Sequence, residues 1–266
     1  MAKPAKSNGS QPPARRTYKN PPITEATCEF QFAPVDNWNL AYTGLFLERV
    51  KSRYAGKPRE QRLLQLDAKQ LADASGALPS ASVREITKVQ IPSTDGKEMV
   101  AVGPGILSAH VLKPYSGWEA FRPQIEEALT AYRAIADPSG IRRIGIRYIN
   151  LIDLPARDAE PSDYFSAPPT RNEELGCRLD TFVIRHEYLY DDEPVRLVVN
   201  FARVQKLETP IVDAASYLLD LDVSRDWQTE PLPMNRAMSL VDELRRRERE
   251  AFEAQITPKA RELFDA

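Results

Sequence analysis

The stretch Glu25-Ala26-Thr27-Cys28-Glu29-Phe30-Gln31-Phe32 alternates between apolar and polar side chains. Ala26, Cys28, Phe30 and Phe32 point one way and Glu25, Thr27, Glu29 and Gln31 the other, the period of a half-buried β-strand. Such a strand belongs to an antiparallel sheet covered on one face and wet on the other. A second stretch repeats the period at mid-chain: Arg143-Ile144-Gly145-Ile146-Arg147-Tyr148-Ile149-Asn150. Arg143, Gly145, Arg147 and Ile149 share one of its faces, and Ile144, Ile146, Tyr148 and Asn150 the other.

Working outward from the first strand, Pro34 ends it and Asp36 or Asn37 can cap a helix over 38–54. Trp38, Tyr42, Leu45, Phe46, Arg49 and Val50 recur there at helical spacing. Leu63, Leu64 and Leu66 predict a short strand, 70–76 a helical piece and 83–91 another strand. Asp95-Gly96 is a hairpin signal leading into 98–102, and Gly103-Pro104-Gly105 breaks the chain before a strand over 106–112. The clearest helix covers 117–136, with Ser116 as cap, Glu119 completing a capping box, and an apolar stripe of Trp118, Phe121, Ile125, Leu129, Tyr132 and Ile135. Asp137-Pro138-Ser139-Gly140 stops it.

The second half has the same grammar. A strand over 141–154 is followed by a Pro-rich segment with a helical turn at Asp163-Tyr164-Phe165, then strands over 178–190, 195–206 and 211–223. A helix over 235–255 and a last short one opened by Thr257-Pro258 complete the chain. The expected fold class is α+β: two pseudo-duplicated halves, each strand, helical element, antiparallel strands and helix. They form one large curved antiparallel sheet with long helices on one face. By element order this looks TATA-binding-protein-like or helix-grip-like, an analogy that carries no function. Residues 1–19 read as a disordered basic tail without acids. Residues 20–138 and 139–266 are the two halves of one compact unit.

The chain has 266 residues, 42% hydrophobic and 28% charged, with net charge −2. This is ordinary globular usage and lacks the basic excess of a nucleic-acid binder. Cys28 and Cys177 stand far apart and form no C-x-x-C pair, which predicts a reduced, cytoplasmic setting. No apolar run reaches the ~20 residues of a membrane span, and no apolar stretch follows the basic N-terminus as in a secretory signal.

Five motifs occur in order: Pro21-Pro22-Ile23-Thr24-Glu25-Ala26; Val102-Gly103-Pro104-Gly105-Ile106-Leu107-Ser108 ahead of Tyr115-Ser116-Gly117-Trp118-Glu119-Ala120-Phe121; Arg143 to Asn150; Leu219-Asp220-Leu221-Asp222; and Phe252-Glu253-Ala254-Gln255-Ile256-Thr257. Their order resembles that of a sporadically distributed family of prokaryotic proteins of unknown function, over about residues 18–264. The resemblance implies no catalytic residue to carry over. The family's scattered distribution is compatible with mobile-element or defence-island genes.

The most chemically loaded segment is the mid-chain strand. Arg143 and Arg147 can build an anion-binding face, because the guanidinium fork suits carboxylate or phosphate, with Tyr148 or Asn150 helping where the strand twists. Glu25 and Glu29 lie on the wet face of the first strand. If the two strands are neighbours, Arg147 can pair with Glu29 or Glu25, and the plain reading is a cross-strand ion pair. Asp220 and Asp222, two apart on one strand, could bind a metal jointly with a third carboxylate, although no E-x-K pattern accompanies them. Gly103-Pro104-Gly105 lacks the Lys and the following helix of a phosphate loop. His110 has no partner at metal-ligand spacing. His186 is expected on a packed face with Phe182, Ile184, Tyr188 and Tyr190. Trp118 is read as a core anchor, with ligand stacking as the alternative, and 245–250 as a solvated helix face. With two histidines, a Ser-His-Asp triad has few candidate members.

No catalytic residue, metal or cofactor is therefore expected. The leading expectation is a non-enzymatic interaction or ligand-sensing protein with a protein partner and no membrane association. A nucleic-acid-associated regulatory or defence component comes second, and a metal-dependent hydrolase or nuclease using Asp220 and Asp222 third.

Overall fold

The computed structural model describes residues 16–35, 38–68, 81–156, 158–170, 172–177, 179–204 and 215–266. Among the described residues, alternation translates into nine strands: β1 (Ile23–Phe32), β2 (Arg59–Ala68), β3 (Ala81–Pro92), β4 (Glu98–Gly103), β5 (Ile106–Leu112), β6 (Ile141–Asp153), β7 (Val183–Leu189), β8 (Val195–Val204) and β9 (Ser216–Asp226). They form one open, curved sheet in the order β2-β3-β4-β5-β1-β6-β9-β8-β7, every neighbouring pair antiparallel.

The duplication is visible in that order. Each half places its first strand at the centre and brings its last strand back beside it: β5 beside β1, and β9 beside β6. The halves meet where β1 pairs with β6, setting Thr27 opposite Arg147 and Glu29 opposite Gly145. They differ in one respect. The first half contains a helix between its first and second strands, whereas the second has an irregular segment with two short 3-10 turns, Pro161–Asp163 and Glu173–Leu175.

One face of the sheet is apolar and the helices lie on it. Ala26, Cys28 and Phe30 of β1 and Ile144, Ile146 and Tyr148 of β6 are all buried there. The helices are α1 (Leu40–Val50), α2 (Trp118–Ala136), α3 (Ala237–Gln255) and α4 (Pro258–Asp265). Phe121, Ile125 and Tyr132 of α2 and Leu240, Val241 and Leu244 of α3 join the strands in one core, and Phe46 and Val50 of α1 enter beside α2. In the second half, Phe165 performs the role of a missing helix: its ring packs 4.6 Å from Phe201 and 5.1 Å from Tyr217. None of the described helices is long and apolar enough to cross a membrane.

Several boundaries differ from expectation. The cap of α1 is Asn39, whose side chain accepts from the Ala41 N–H at 2.9 Å, and Leu45 points outward. Asp36, Asn37 and the helical piece expected over 70–76 lie outside the described residues. No capping box forms at α2. The chain enters through Gly117 at φ 95°, a left-handed conformation that favours glycine, and the helix begins one residue after the position expected for Ser116 as cap. Thr257 does cap α4, accepting from the Ala260 N–H at 3.3 Å. The strand expected over 178–190 is shorter, β7 running from Val183 to Leu189, with a 3-10 turn at Glu173–Leu175 ahead of it.

His186 is exposed, not packed. It lies on β7, the edge strand, beyond the reach of the helices. Residues 1–15 lie outside the described residues, but Arg16 to Asn20, mostly assigned to the tail, are held in place. Tyr18 packs edge-on against Phe264 at 5.3 Å and Phe252 at 6.3 Å and donates to Glu253 at 2.7 Å. Arg16 pairs with Asp265 and the Asn20 N–H donates to the Phe264 carbonyl at 2.8 Å, so several contacts dock the segment on α3 and α4.

The junction between halves is tight. Ala33 N–H donates to the Gly140 carbonyl at 2.9 Å, and Ile141 exchanges two hydrogen bonds with Leu232. A Cβ on Gly140 would stand 2.6 Å from Pro231 Cβ and 3.0 Å from the Leu232 carbonyl. Gly140→Ala is therefore expected to destabilise the protein by about 1–3 kcal/mol, as overpacking does. A urea midpoint shift at unchanged slope would register it, and an unshifted midpoint would contradict this junction.

Candidate functional site

The face of the sheet on which none of the described helices packs, here the helix-free face, carries most of the charged groups singled out above. Strand period sends Glu25, Thr27, Glu29 and Gln31 of β1 to this face, and register places Arg143 and Arg147 of β6 beside them. On the other side of β6, Asp220 and Asp222 of β9 arrive in line. The second central strand is thus flanked by acids on both sides.

The outcome is a ladder of ion pairs. Arg147 donates to both oxygens of Asp220, at 2.7 and 2.8 Å. Its expected partners, Glu29 and Glu25, are engaged elsewhere, because the diagonal to Asp220 permits a two-pronged contact that β1 does not offer. Asn200 on β8 also donates to Asp220, at 2.9 Å. Arg143 reaches Asp222 at 3.3 Å, Glu29 at 3.6 Å and Asp226 at 3.9 Å. Glu29 is held by Lys88 of β3 at 2.6 Å. At the far end Arg185 and Arg196 both donate to Glu187.

Lys88, Ser108, Asp220 and Ser224 are buried although none of the described helices packs on this face. Burial and pairing pull the titrations apart. Burial raises the Glu29 carboxyl, but the Lys88 ammonium and neighbouring donors outweigh it and leave it below the ordinary carboxylate range. Burial likewise raises Asp222, and there Arg143 and Arg147 do not fully offset it. The metal reading needs Asp220 and Asp222 to offer their oxygens to a cation, yet two guanidinium groups already face them. Among the described residues no three His, Cys, Asp or Glu side chains are grouped to hold a metal ion.

A second arrangement on the same face is absent from the expectations. His110 Nδ1 lies 2.9 Å from Glu25 Oε1 and 3.1 Å from Thr27 Oγ1, and its Nε2 lies 2.9 Å from Ser108 Oγ. Ser108, His110 and Glu25 therefore stand in the order of a hydroxyl, imidazole and carboxylate relay. The hydrogen bond with His110 holds Glu25 below its ordinary pKa, which fits Nδ1–H donating to the carboxylate and Nε2 accepting from the hydroxyl. Two features separate the relay from a hydrolase centre. Ser108 is 1% exposed, and the β1, β4 and β5 backbone around it is in strand pairing, so those N–H groups are not free to act as oxyanion donors. The signal in the sequence was Ser108-x-His110 on a predicted strand, which sets the two on one face.

Tyr148 and Asn150, grouped with the arginines by sequence, belong to the opposite face. Asn150 is buried and donates to the Leu219 carbonyl at 3.1 Å. Tyr148 lies under α3: its hydroxyl meets that of Tyr115 at 2.9 Å, and the Arg245 guanidinium stacks 4.1 Å from its ring centre. Above this pair opens a cleft of about 1510 Å³ between residues 16–23, the start of α2 and the outer side of α3. Tyr18, Tyr115 and Trp118 line it with Arg16, Lys19, Arg245, Arg246, Arg249 and Arg261, against the acids Glu119, Asp242, Glu250 and Glu253. Basic side chains outnumber acidic ones six to four.

Residues 245–250 are thus not a solvated helix face. Arg245 pairs with buried Glu248 and lies 5.8 Å from the Trp118 ring, while Arg247 binds Asp192 and Glu193 of the β7–β8 turn. Trp118 is half-buried against the core, edge-on to Phe121, with its other side toward the cleft lining.

Asp220→Ala is expected to cost about 2–3 kcal/mol, since it strips a buried acceptor from Arg147 and Asn200 together. Asp222→Asn should change stability by less than about 0.5 kcal/mol, because its charge is already disfavoured there. Equal losses in urea melts would refute this division. The ladder also sets an acid limit. Glu25 and Glu29 titrate lower folded than unfolded, so their stabilisation is complete above the ordinary value of 4.5 and disappears as pH falls through their lowered values. Asp222, shifted upward, has the opposite sign, adding stability as pH falls through its raised value. Glu29→Gln should therefore flatten the loss of stability below pH 4.5, and an unchanged slope in urea melts across that range would count against the Lys88–Glu29 pair.

Comparison with known proteins finds no matching family model and no matching curated protein.

Proposed function

We propose that the protein is a non-enzymatic ligand-sensing module whose ligand is a small organic anion with a flat ring, held in the cleft between α2 and α3. The observation that carries this reading is the lining itself. Arginines surround an opening large enough for a nucleotide-sized molecule, and Tyr115 and Trp118 supply flat surfaces beside them.

The competing readings fare less well. A polyanion would find little unmatched positive charge on the helix-free face, where Arg143, Arg147, Arg185, Arg196 and Lys88 each face a carboxylate. A nuclease would have to displace Arg147 and Arg143 from Asp220 and Asp222. A cytoplasmic setting accords with Cys28 and Cys177 as free thiols. Transmission of the signal to a protein partner, in keeping with the resemblance to a scattered prokaryotic family, belongs to the same proposal.

Thermal melts with phosphate, pyrophosphate, nucleoside phosphates and aromatic carboxylates test it. At least one is expected to raise the melting temperature, by about 2.7 kcal/mol of stabilisation at a hundredfold excess over Kd. Arg249→Ala with Arg246→Ala should abolish the shift while leaving the unliganded melt nearly unchanged. No shift across the set, or a shift indifferent to these substitutions, would reject the cleft. A fluorophosphonate probe is expected to leave Ser108 unlabelled. Labelling that is lost in Ser108→Ala would make the relay a hydrolase and overturn the non-enzymatic reading.

A further inference from the structure

Edge strand β7 reads Val183-Ile184-Arg185-His186-Glu187-Tyr188-Leu189. Six of its seven positions, all but Ile184, are exposed, with Val183 at 80%, Leu189 at 70% and Tyr188 at 46%. Natural sheet edges are blunted by lysine, proline, a bulge or a covering element. This one has no lysine and no proline, and its register with β8 runs without a shift from Val183 to Leu189. Among the described residues no other strand pairs with it.

The order of side chains is a chemical palindrome about His186. If a second β7 is laid antiparallel with the two His186 residues facing each other, Arg185 falls opposite the other copy's Glu187 on the helix-free face. Val183 falls opposite Leu189 on that same face, and Ile184 opposite Tyr188 on the other. Apolar meets apolar and cation meets anion at every position off the axis. An edge protected by charge alone would set like charges opposite a second copy; here the pattern is self-complementary.

The backbone agrees with this register. Tyr190 N–H donates to the Val195 carbonyl at 3.0 Å, and Arg203 N–H to the Phe182 carbonyl at 3.3 Å. In an antiparallel pair, hydrogen-bonded positions alternate. The even-numbered residues of β7 are therefore bonded to β8, and the N–H and C=O groups of Val183, Arg185, Glu187 and Leu189 point away from the sheet. Those odd positions are the ones that the two-fold register sets opposite one another, so each can exchange two hydrogen bonds with the second copy. His186 then forms the non-hydrogen-bonded pair on the axis. Arg185, which bridges Glu187 of its own strand at 2.8 Å and Asn200 at 3.2 Å, is already extended across this surface.

We propose that two copies of this chain join antiparallel through β7 about a two-fold axis at His186, fusing two nine-stranded sheets into one. The proposal is independent of the cleft, which lies at α2 and α3.

Sedimentation velocity on the full chain should show a concentration-dependent dimer. Arg185→Glu, which sets two glutamates opposite each other twice, should weaken association about tenfold with an unchanged far-UV spectrum. Adding Glu187→Arg restores opposite charges and should restore the dimer. In a Cys177→Ser background, His186→Cys should crosslink on oxidation, because Cα atoms of a non-hydrogen-bonded pair lie about 4.5 Å apart. Tyr188→Cys should not, since its counterpart across the axis is Ile184. A monomer at every concentration, a dimer indifferent to Arg185→Glu, failure of the charge swap to rescue, or equal crosslinking of the two cysteine variants would each overturn the proposal.

Discussion

The pairing of β1 with β6 is the contact on which the other features depend. Thr27 faces Arg147 and Glu29 faces Gly145, and from that register every later assignment follows by parity. Ala26, Cys28 and Phe30 align with Ile144, Ile146 and Tyr148 under the helices, while Glu25 and Glu29 align with the arginines. A slip of one residue would drive the two glutamates into the core and the phenylalanines into water. Burial on one face and charge on the other therefore enforce the same register.

The two faces use charge differently. On the helix-free face, acids and bases alternate from Lys88 to Glu187 and satisfy one another, so the charge serves chiefly to order the sheet. At the cleft, basic groups exceed acidic ones in the lining, though Arg16, Arg245, Arg246 and Arg261 each pair with a carboxylate, and the surroundings are partly aromatic. Arg245 shows how the second arrangement is maintained. It rests on Tyr148, is paired with Glu248 beneath it, and holds the floor of the cleft against the central strand. A strand residue and a helix residue thereby connect the centre of the sheet to the opening above it.

Much of this was legible in the sequence, and the rest was not for identifiable reasons. The alternation of 25–32 and 143–150 reveals faces without alignment to any other chain, so the separation of Arg143 and Arg147 from the apolar residues was readable. The partner of Arg147 was not, because period-two reasoning says which way a side chain points and nothing about which strand lies alongside. Asp220 was noticed as a carboxylate but not as the acceptor for Arg147, and His110 seemed isolated because Glu25 is brought to it only when β5 returns to β1. The cleft joins residues 16–23, 115–119 and 242–261, and no local pattern ties such distant segments together. The run 245–250 misled for a related reason: alternating charges on a helix look solvated until the sheet beneath is known. The edge position of β7 was likewise invisible, so a strand that reads as packed turned out exposed.

The central placement of each half's first strand has a consequence for how the chain is made. During synthesis β1 acquires β5 as its first neighbour in the sheet, some eighty residues later. Its other edge must wait for β6, a further thirty to forty residues, or roughly 2–8 s at ordinary elongation rates of about 5–20 residues per second. For that interval a half-built sheet presents Ala26, Cys28, Phe30 and Phe32 beside an open edge, and the missing strand is the one with the most non-local partner. Folding of such a topology is slow because the loop closing it is long. The nascent first half is therefore the stage at which this chain would most need a holding chaperone, and the arrival of β6 ends that exposure on the ribosome.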